Sequence, residues 1–100
     1  MTDAELLVML KADLEIITDY MDQAAREAKD AELGQYISAA ETFIGTEGIT
    51  LDLSDLGDCQ LTVMYAAWLY RKRKDDGAGM PRMLRWNLNN RLFREKVEAT

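Results

Sequence analysis

The chain is expected to be all-α, a single small domain of four to five helices. Apolar residues recur at helical spacing along most of its length, glycines at 45–48 and 77–79 and the single proline stand where those stripes stop, and the one alternating apolar run is too short for a sheet. Helices are expected at about 3–15, 19–46, 56–76 and 80–97, five in number if the second is broken, with a short extended connector at 49–53. One hundred residues, 48% hydrophobic and 30% charged, suffice for one modest core and not for two.

The first helix has a capping box in Thr2 and Glu5, and Leu6, Leu7, Leu10, Leu14 and Ile17 follow on one face. Ile16, Ile17 and Thr18 are β-branched, and Thr18 and Asp19 favour caps, so a break is expected near 15–18. Residues 19–32 are rich in Ala, Glu, Lys and Asp and read as a solvated helix or a mobile connector. Leu33, Ile37, Ala40 and Ile44, flanked by Tyr36 and Phe43, make the stripe of a core helix that ends near 45–48. Ile49, Leu51 and Leu53 then alternate with Thr50, Asp52 and Ser54, an extended connector pinned to the core.

Ser54, Asp55 and Asp58 are alternative caps for a third helix, whose face is Leu61, Met64, Tyr65, Trp68 and Leu69 and whose end is the cationic run Arg71, Lys72, Arg73, Lys74. DDGAG reads as a flexible turn, and Pro81 fits the first turn of a fourth helix. At steps of about 100° that helix shows two apolar faces. Leu84, Leu88 and Leu92 form one; Met83, Trp86, Phe93 and Val97 form the other. Arg82, Arg85, Asn89 and Lys96 occupy one seam between them, and Asn87, Arg91 and Arg94 the second. The expected core is Leu10, Leu33, Ile37, Ile44, Leu61, Tyr65, Trp68, Leu69, Leu84, Leu88 and Leu92. A domain of this size needs one stripe per helix, so the second face of the last helix either meets another chain or is covered by the acidic segment 19–32.

Charge is divided along the chain. Residues 71–100 carry nine Lys and Arg against four acids, a net of +5, whereas residues 1–70 carry three against fourteen, a net of −11. The overall −6 argues against a dedicated nucleic-acid binder, whose affinity rests on a positive surface. The run 71–74 can bind phosphates, bind an acidic surface of a neighbouring copy, or keep the helix end soluble. The absence of histidine removes the commonest general base and metal ligand, and the lone Cys59 excludes an internal disulfide and paired-cysteine zinc sites. No phosphate-loop, dinucleotide or calcium-loop motif occurs, and Gly77 and Gly79 follow a helix and stand beside acids, so they do not form a phosphate cradle. No enzyme activity, cofactor or metal is therefore expected. Without a long apolar run or a basic leader, a soluble, cytoplasmically made protein with no membrane partner is expected.

The stretches LLVMLKADLEI, LGQYISAAETFI, MYAAWLYRKRK and above all MPRMLRWNLNNRLFREK resemble the small all-helical head-to-tail connector proteins, or DNA-packaging proteins, of long-tailed bacteriophages and prophages. The resemblance covers nearly the whole chain, least well over residues 19–30. It implies a structural protein that assembles with itself as a ring of about a dozen copies beneath the portal protein at the head-tail junction of the virion. Such a ring extends the DNA channel and docks the next head-completion or tail protein; before assembly its subunits are in the bacterial host cytoplasm. The implied assembly surface is Arg71, Lys72, Arg73, Lys74, Arg82, Arg85, Trp86, Asn89, Phe93 and Lys96. The Arg71–Lys74 cluster and the arginines of the last helix are expected to meet the acidic N-terminal helices of the adjacent copy or an acidic portal surface, or alternatively to approach the DNA in the channel. The competing class is a small phage regulator in which the third and fourth helices act as a helix-turn-helix, with Arg82, Arg85 and Asn89 turned to a DNA groove.

Overall fold

Thr2 starts the first helix, α1 (Asp3–Leu14), through the expected capping box: its hydroxyl accepts the Glu5 N–H at 3.2 Å, and the Glu5 carboxylate accepts the Thr2 N–H at 3.2 Å. The computed structural model describes every residue except Asp76, Ala78 and Thr100, and of Ala99 the backbone alone. Leu6 and Leu10 are buried, and Leu7 and Leu14 pack against the core at its edge. The helix stops at Glu15, a non-glycine residue in the left-handed region with φ 58°. Ile17, expected on the α1 face, lies past this stop and is exposed, because the reversal at Glu15 takes the chain off the helical register.

The second helix, α2 (Gln23–Thr46), begins four residues later than expected and runs unbroken for 24 residues. Asp22 is its cap, accepting the Ala25 N–H at 2.7 Å, so 19–22 belong to the connection and the segment from residue 23 onward is helical. Thr18 is buried in that connection, its hydroxyl accepting from Lys11 Nζ at 3.4 Å. Lys11 also reaches Asp30 at 2.6 Å and ties α1 to α2. The buried residues of α2 are Leu33, Ile37, Ala40 and Ile44, the stripe read from spacing. Gly48, with φ 98°, turns the chain after α2, and Ile49 anchors the connector in the core.

The third helix, α3 (Leu56–Lys72), is capped by Asp55, which accepts the Gly57 N–H at 2.8 Å. It is the central element. Ten of its seventeen residues are buried, and it packs against α1, α2 and the fourth helix, α4 (Arg82–Ala99). Leu61, Tyr65 and Leu69 are buried as expected, while Trp68 and Leu92 are only partly so. The helix ends at Lys72 rather than at 76, with Arg73 as its C-cap, its N–H on the Tyr70 carbonyl and its guanidinium over the Tyr70 ring; Asp76, and with it part of the DDGAG turn, lies outside the described residues. Pro81 immediately precedes α4, its carbonyl accepting the Arg85 N–H at 3.1 Å.

Among the described residues there is no strand, and the four helices make one small all-α domain. Its radius of gyration, 14.3 Å, exceeds the value of about 13 Å for a compact chain of this length, and its extents of 51 × 32 × 18 Å show why. The domain is a flat, elongated slab.

Candidate interaction surface

On its inner side α4 is held by apolar contact and by charge. Leu84 and Leu88 are buried, and Leu92 lies close to the Cα of Gly48. Arg91 Nε donates to Asp58 Oδ1 at 2.7 Å, with Nη2 at 3.2 Å from Oδ2 and 2.8 Å from the Thr50 carbonyl. Arg91 Nη1 reaches Glu95 at 2.8 Å; Arg94 reaches Asp55 at 3.0 Å; Arg85 reaches Glu47 at 2.7 Å. The Asp58 side chain is 2% exposed and that of Arg91 10%, so this pair is shielded where the others are not. The bond to Asp58 holds Arg91 still more firmly protonated, and the bonds from Arg91 and Thr50 pull the Glu95 carboxyl below its ordinary range. The Gly57 N–H, and then Arg94, do the same for Asp55.

With its rotation set in this way, α4 turns its other face outward. Met83, Trp86, Phe93 and Val97 are 60%, 58%, 71% and 55% exposed. The segment 19–32 does not cover them: it lies against α1 through Lys11 and Asp30, and against the end of α3, where Lys29 Nζ donates to Tyr70 Oη at 2.7 Å. That alternative for the second stripe is thus ruled out.

The cationic run divides. Arg71 bonds the Asp13 carbonyl of its own α1 at 3.2 Å, Lys72 lies 4.7 Å from the centre of the Trp68 ring, and Arg73 lies 3.5 Å from that of Tyr70. These three side chains stabilise the end of α3 within the chain. Among the described residues Lys74, Arg82 and Lys96 have no carboxylate at ion-pair distance, and Asn89 is exposed on the same helix as the last two. The expected assembly residues therefore fall into two sets. Arg71, Lys72, Arg73 and Arg85 are engaged internally, whereas Arg82, Trp86, Asn89, Phe93 and Lys96 gather on the outer side of α4; Lys74, exposed past the end of α3, joins neither set. Spacing from Trp68 to Lys72 and from Tyr70 to Arg73 is the available sequence signal for the ring contacts. Asp58 and Arg91, 33 positions apart, give no local signal of their pairing.

Beside α4 the surface is hollowed. Met9, Ala12 and Asp13 of α1 and Gln60, Val63 and Met64 of α3 line a shallow, mainly apolar groove of about 560 Å³. It continues past Gln60 and Met64 into a hollow of about 320 Å³ walled by Asn87, Asn90, Arg91 and Arg94 of α4. Near its other end the buried Trp68 Nε1 has no hydrogen-bond acceptor among the described residues. Burial raises the pKa of Cys59, whose thiol donates to the Leu53 carbonyl at 3.1 Å, a packing role. Among the described residues no group of three or more His, Cys, Asp or Glu is arranged to hold a metal ion, and no helix is long and apolar enough to cross a membrane.

No family model, no curated protein and no solved structure matches the chain. The fold itself defines a small four-helix domain with a firmly latched C-terminal helix. That helix presents aromatic residues to the outside, together with cations that have no ion-pair partner among the described residues.

Proposed function

We propose that the chain is a non-enzymatic structural subunit of the phage head-tail junction. It assembles as a ring of about a dozen copies under the portal protein and carries the next head-completion or tail protein. In the cytoplasm of the bacterial host it awaits the portal; in the virion it surrounds the passing DNA. The observation that carries this reading is the exposed Met83, Trp86 and Phe93 ridge on a helix fixed by Asp58 and Arg91. An apolar patch rimmed by cations, on a helix that cannot rotate it inward, is the composition of a protein interface. The resemblance of the same segment to connector proteins supplies the kind of assembly.

The regulator alternative asks α4 to offer Arg82, Arg85 and Asn89 to DNA. Arg85 is held by Glu47, and Trp86 and Phe93 flank the seam, so the observations favour a protein partner. Light scattering of the chain with and without a purified phage portal protein tests the proposal. The expected result is a portal-bound ring. A chain that stays monomeric and never joins the portal sinks the reading, and tight binding to random duplex at low salt would favour the regulator.

A further inference from the structure

We infer that the outer ridge of α4 docks into the groove between α1 and α3 of a second copy of this chain. The inference rests on the assembly reading above and specifies its contact. The ridge is Trp86 and Phe93, two turns apart, with Met83 at one end; over Met83 to Val97 it is about 21 Å long. The groove offers Met9, Ala12, Val63 and Met64 as an apolar floor and wall, and its volume accommodates an aromatic side chain. Within one chain Met83 stands beside Asp13 and Met64 at the edge of this groove, but Trp86 and Phe93 do not enter it. Leu84 and Leu88 lie on the opposite side of α4 and are buried, so turning Trp86 inward would expose both and break the Asp58–Arg91 pair.

Charge selects the occupant. The rim of the ridge carries Arg82 and Lys96, neither with an ion-pair partner among the described residues. The groove carries Asp13, on a helix that also holds Asp3 and Glu5 and is followed by Glu15. The one cation of α1, Lys11, is already taken by Asp30 at 2.6 Å. Arg71 bonds the Asp13 carbonyl at 3.2 Å, and the Asp13 carboxylate has only a long, exposed contact of 3.5 Å to the same guanidinium, which leaves the carboxylate available. A ridge rimmed by cations therefore meets a groove whose one charged lining residue is the acid Asp13. Because ridge and groove are different patches, each copy gives one and receives one, a heterologous contact that closes as a ring or runs on as a filament.

Cross-linking tests this in the full chain with Cys59→Ser as background, since the serine hydroxyl can keep the hydrogen bond to the Leu53 carbonyl. Asn89→Cys sits beside the intact ridge and Ala12→Cys in the groove. Mixing the two single variants under mild oxidation should give a disulfide-linked pair about tenfold more abundant than either variant alone gives. The double variant should give a ladder of covalent multimers, and adding Trp86→Ala with Phe93→Ala should abolish both products. Equal cross-linking by Asn89→Cys alone would overturn the inference in favour of a symmetric α4–α4 contact. Absence of the mixed product while the parent chain still associates, or joins the portal, overturns the groove assignment and leaves the assembly reading standing. A chain that neither associates nor joins the portal removes both. Circular dichroism of each variant keeps unfolding from being mistaken for loss of contact.

Discussion

Arg91 of α4 grips Asp58 of α3 through two nitrogens, at 2.7 and 3.2 Å, across a site that is almost closed to water. The same carboxylate accepts the Asp52 N–H at 2.9 Å, so one buried charge holds the connector, the start of α3 and the middle of α4 together. Breaking it leaves an uncompensated charge. Asp58→Ala or Arg91→Ala should each cost about 3–5 kcal/mol in urea unfolding, while replacing both by apolar residues should cost less than the sum. Additive losses would show that the pair is not a coupled unit.

The two faces of α4 should respond oppositely to truncation. Leu88 is 1% exposed, and Leu88→Ala should destabilise by about 2–5 kcal/mol. Trp86→Ala and Phe93→Ala should change folding stability by less than about 0.5 kcal/mol, although both remove large side chains. Urea midpoints of the three variants decide. A large loss at Trp86 would mean that its ring is covered within the monomer.

Helical spacing makes the core of α2 legible. Leu33, Ile37, Ala40 and Ile44 follow a 3.6-residue period, and burial follows the same four. The capping box at Thr2 is legible for a similar reason, since both partners lie within one turn. Asp58 misleads because, three residues into a helix, an acid looks like a cap or a dipole partner; only the tertiary approach of α4 makes it an ion-pair residue. The start of α2 is ambiguous in sequence because Thr18, Asp19 and Asp22 are all cap-forming types, and the choice among them depends on where Lys11 and the core hold Thr18. The outer stripe of α4 is legible as a pattern, but whether segment 19–32 covers it is a question of topology that no local spacing answers.

Two turn residues with positive φ predict opposite outcomes. Gly48 has φ 98°, and a Cβ there would stand 3.5 Å from Leu92, an ordinary contact, so the cost of Gly48→Ala is conformational and should be about 1–2 kcal/mol. Glu15 occupies the left-handed region at φ 58° with a side chain that gains nothing there, and Glu15→Gly should stabilise by up to about 1 kcal/mol. Thermal melts of both variants check the pair. Stabilisation by Gly48→Ala would contradict the turn geometry.

Acid should weaken the fold. Hydrogen bonds from Ser54 hold the Asp52 carboxyl below its ordinary range; the Gly57 N–H and Arg94 do so for Asp55, and Arg91 and Thr50 for Glu95. A carboxylate with a depressed folded pKa contributes stability that is present above the unfolded value and lost as pH falls through the folded one, here at and below about pH 4. Glu41 has the opposite sign, since burial and the neighbouring Asp3 raise its pKa, so its charge opposes folding as pH rises through that range. Asp55→Asn with Glu95→Gln should flatten the acid limb of the melting profile, and Glu41→Gln should raise the neutral-pH melting temperature. An acid limb unchanged in the first variant would move the titration to other groups.

Salt should act on association and leave the fold of the monomer nearly untouched. Arg82 and Lys96 have no ion-pair partner among the described residues, whereas Arg85 is 2.7 Å from Glu47. If the first two contribute to a partner's acidic surface, their attraction is felt mainly during approach and is screened beyond about 8–10 Å at moderate ionic strength. Arg82→Glu with Lys96→Glu should therefore weaken self-association or portal binding most at low salt, and should shift the urea midpoint by less than about 0.5 kcal/mol in stability. Arg85→Glu should instead lower stability, because it sets two acids against each other at the end of α2. Sedimentation at low and high salt, beside urea curves, separates the two effects. An association insensitive to salt in both the parent and the double variant would leave the apolar ridge as the whole of the contact, and the basic rim without a part in it.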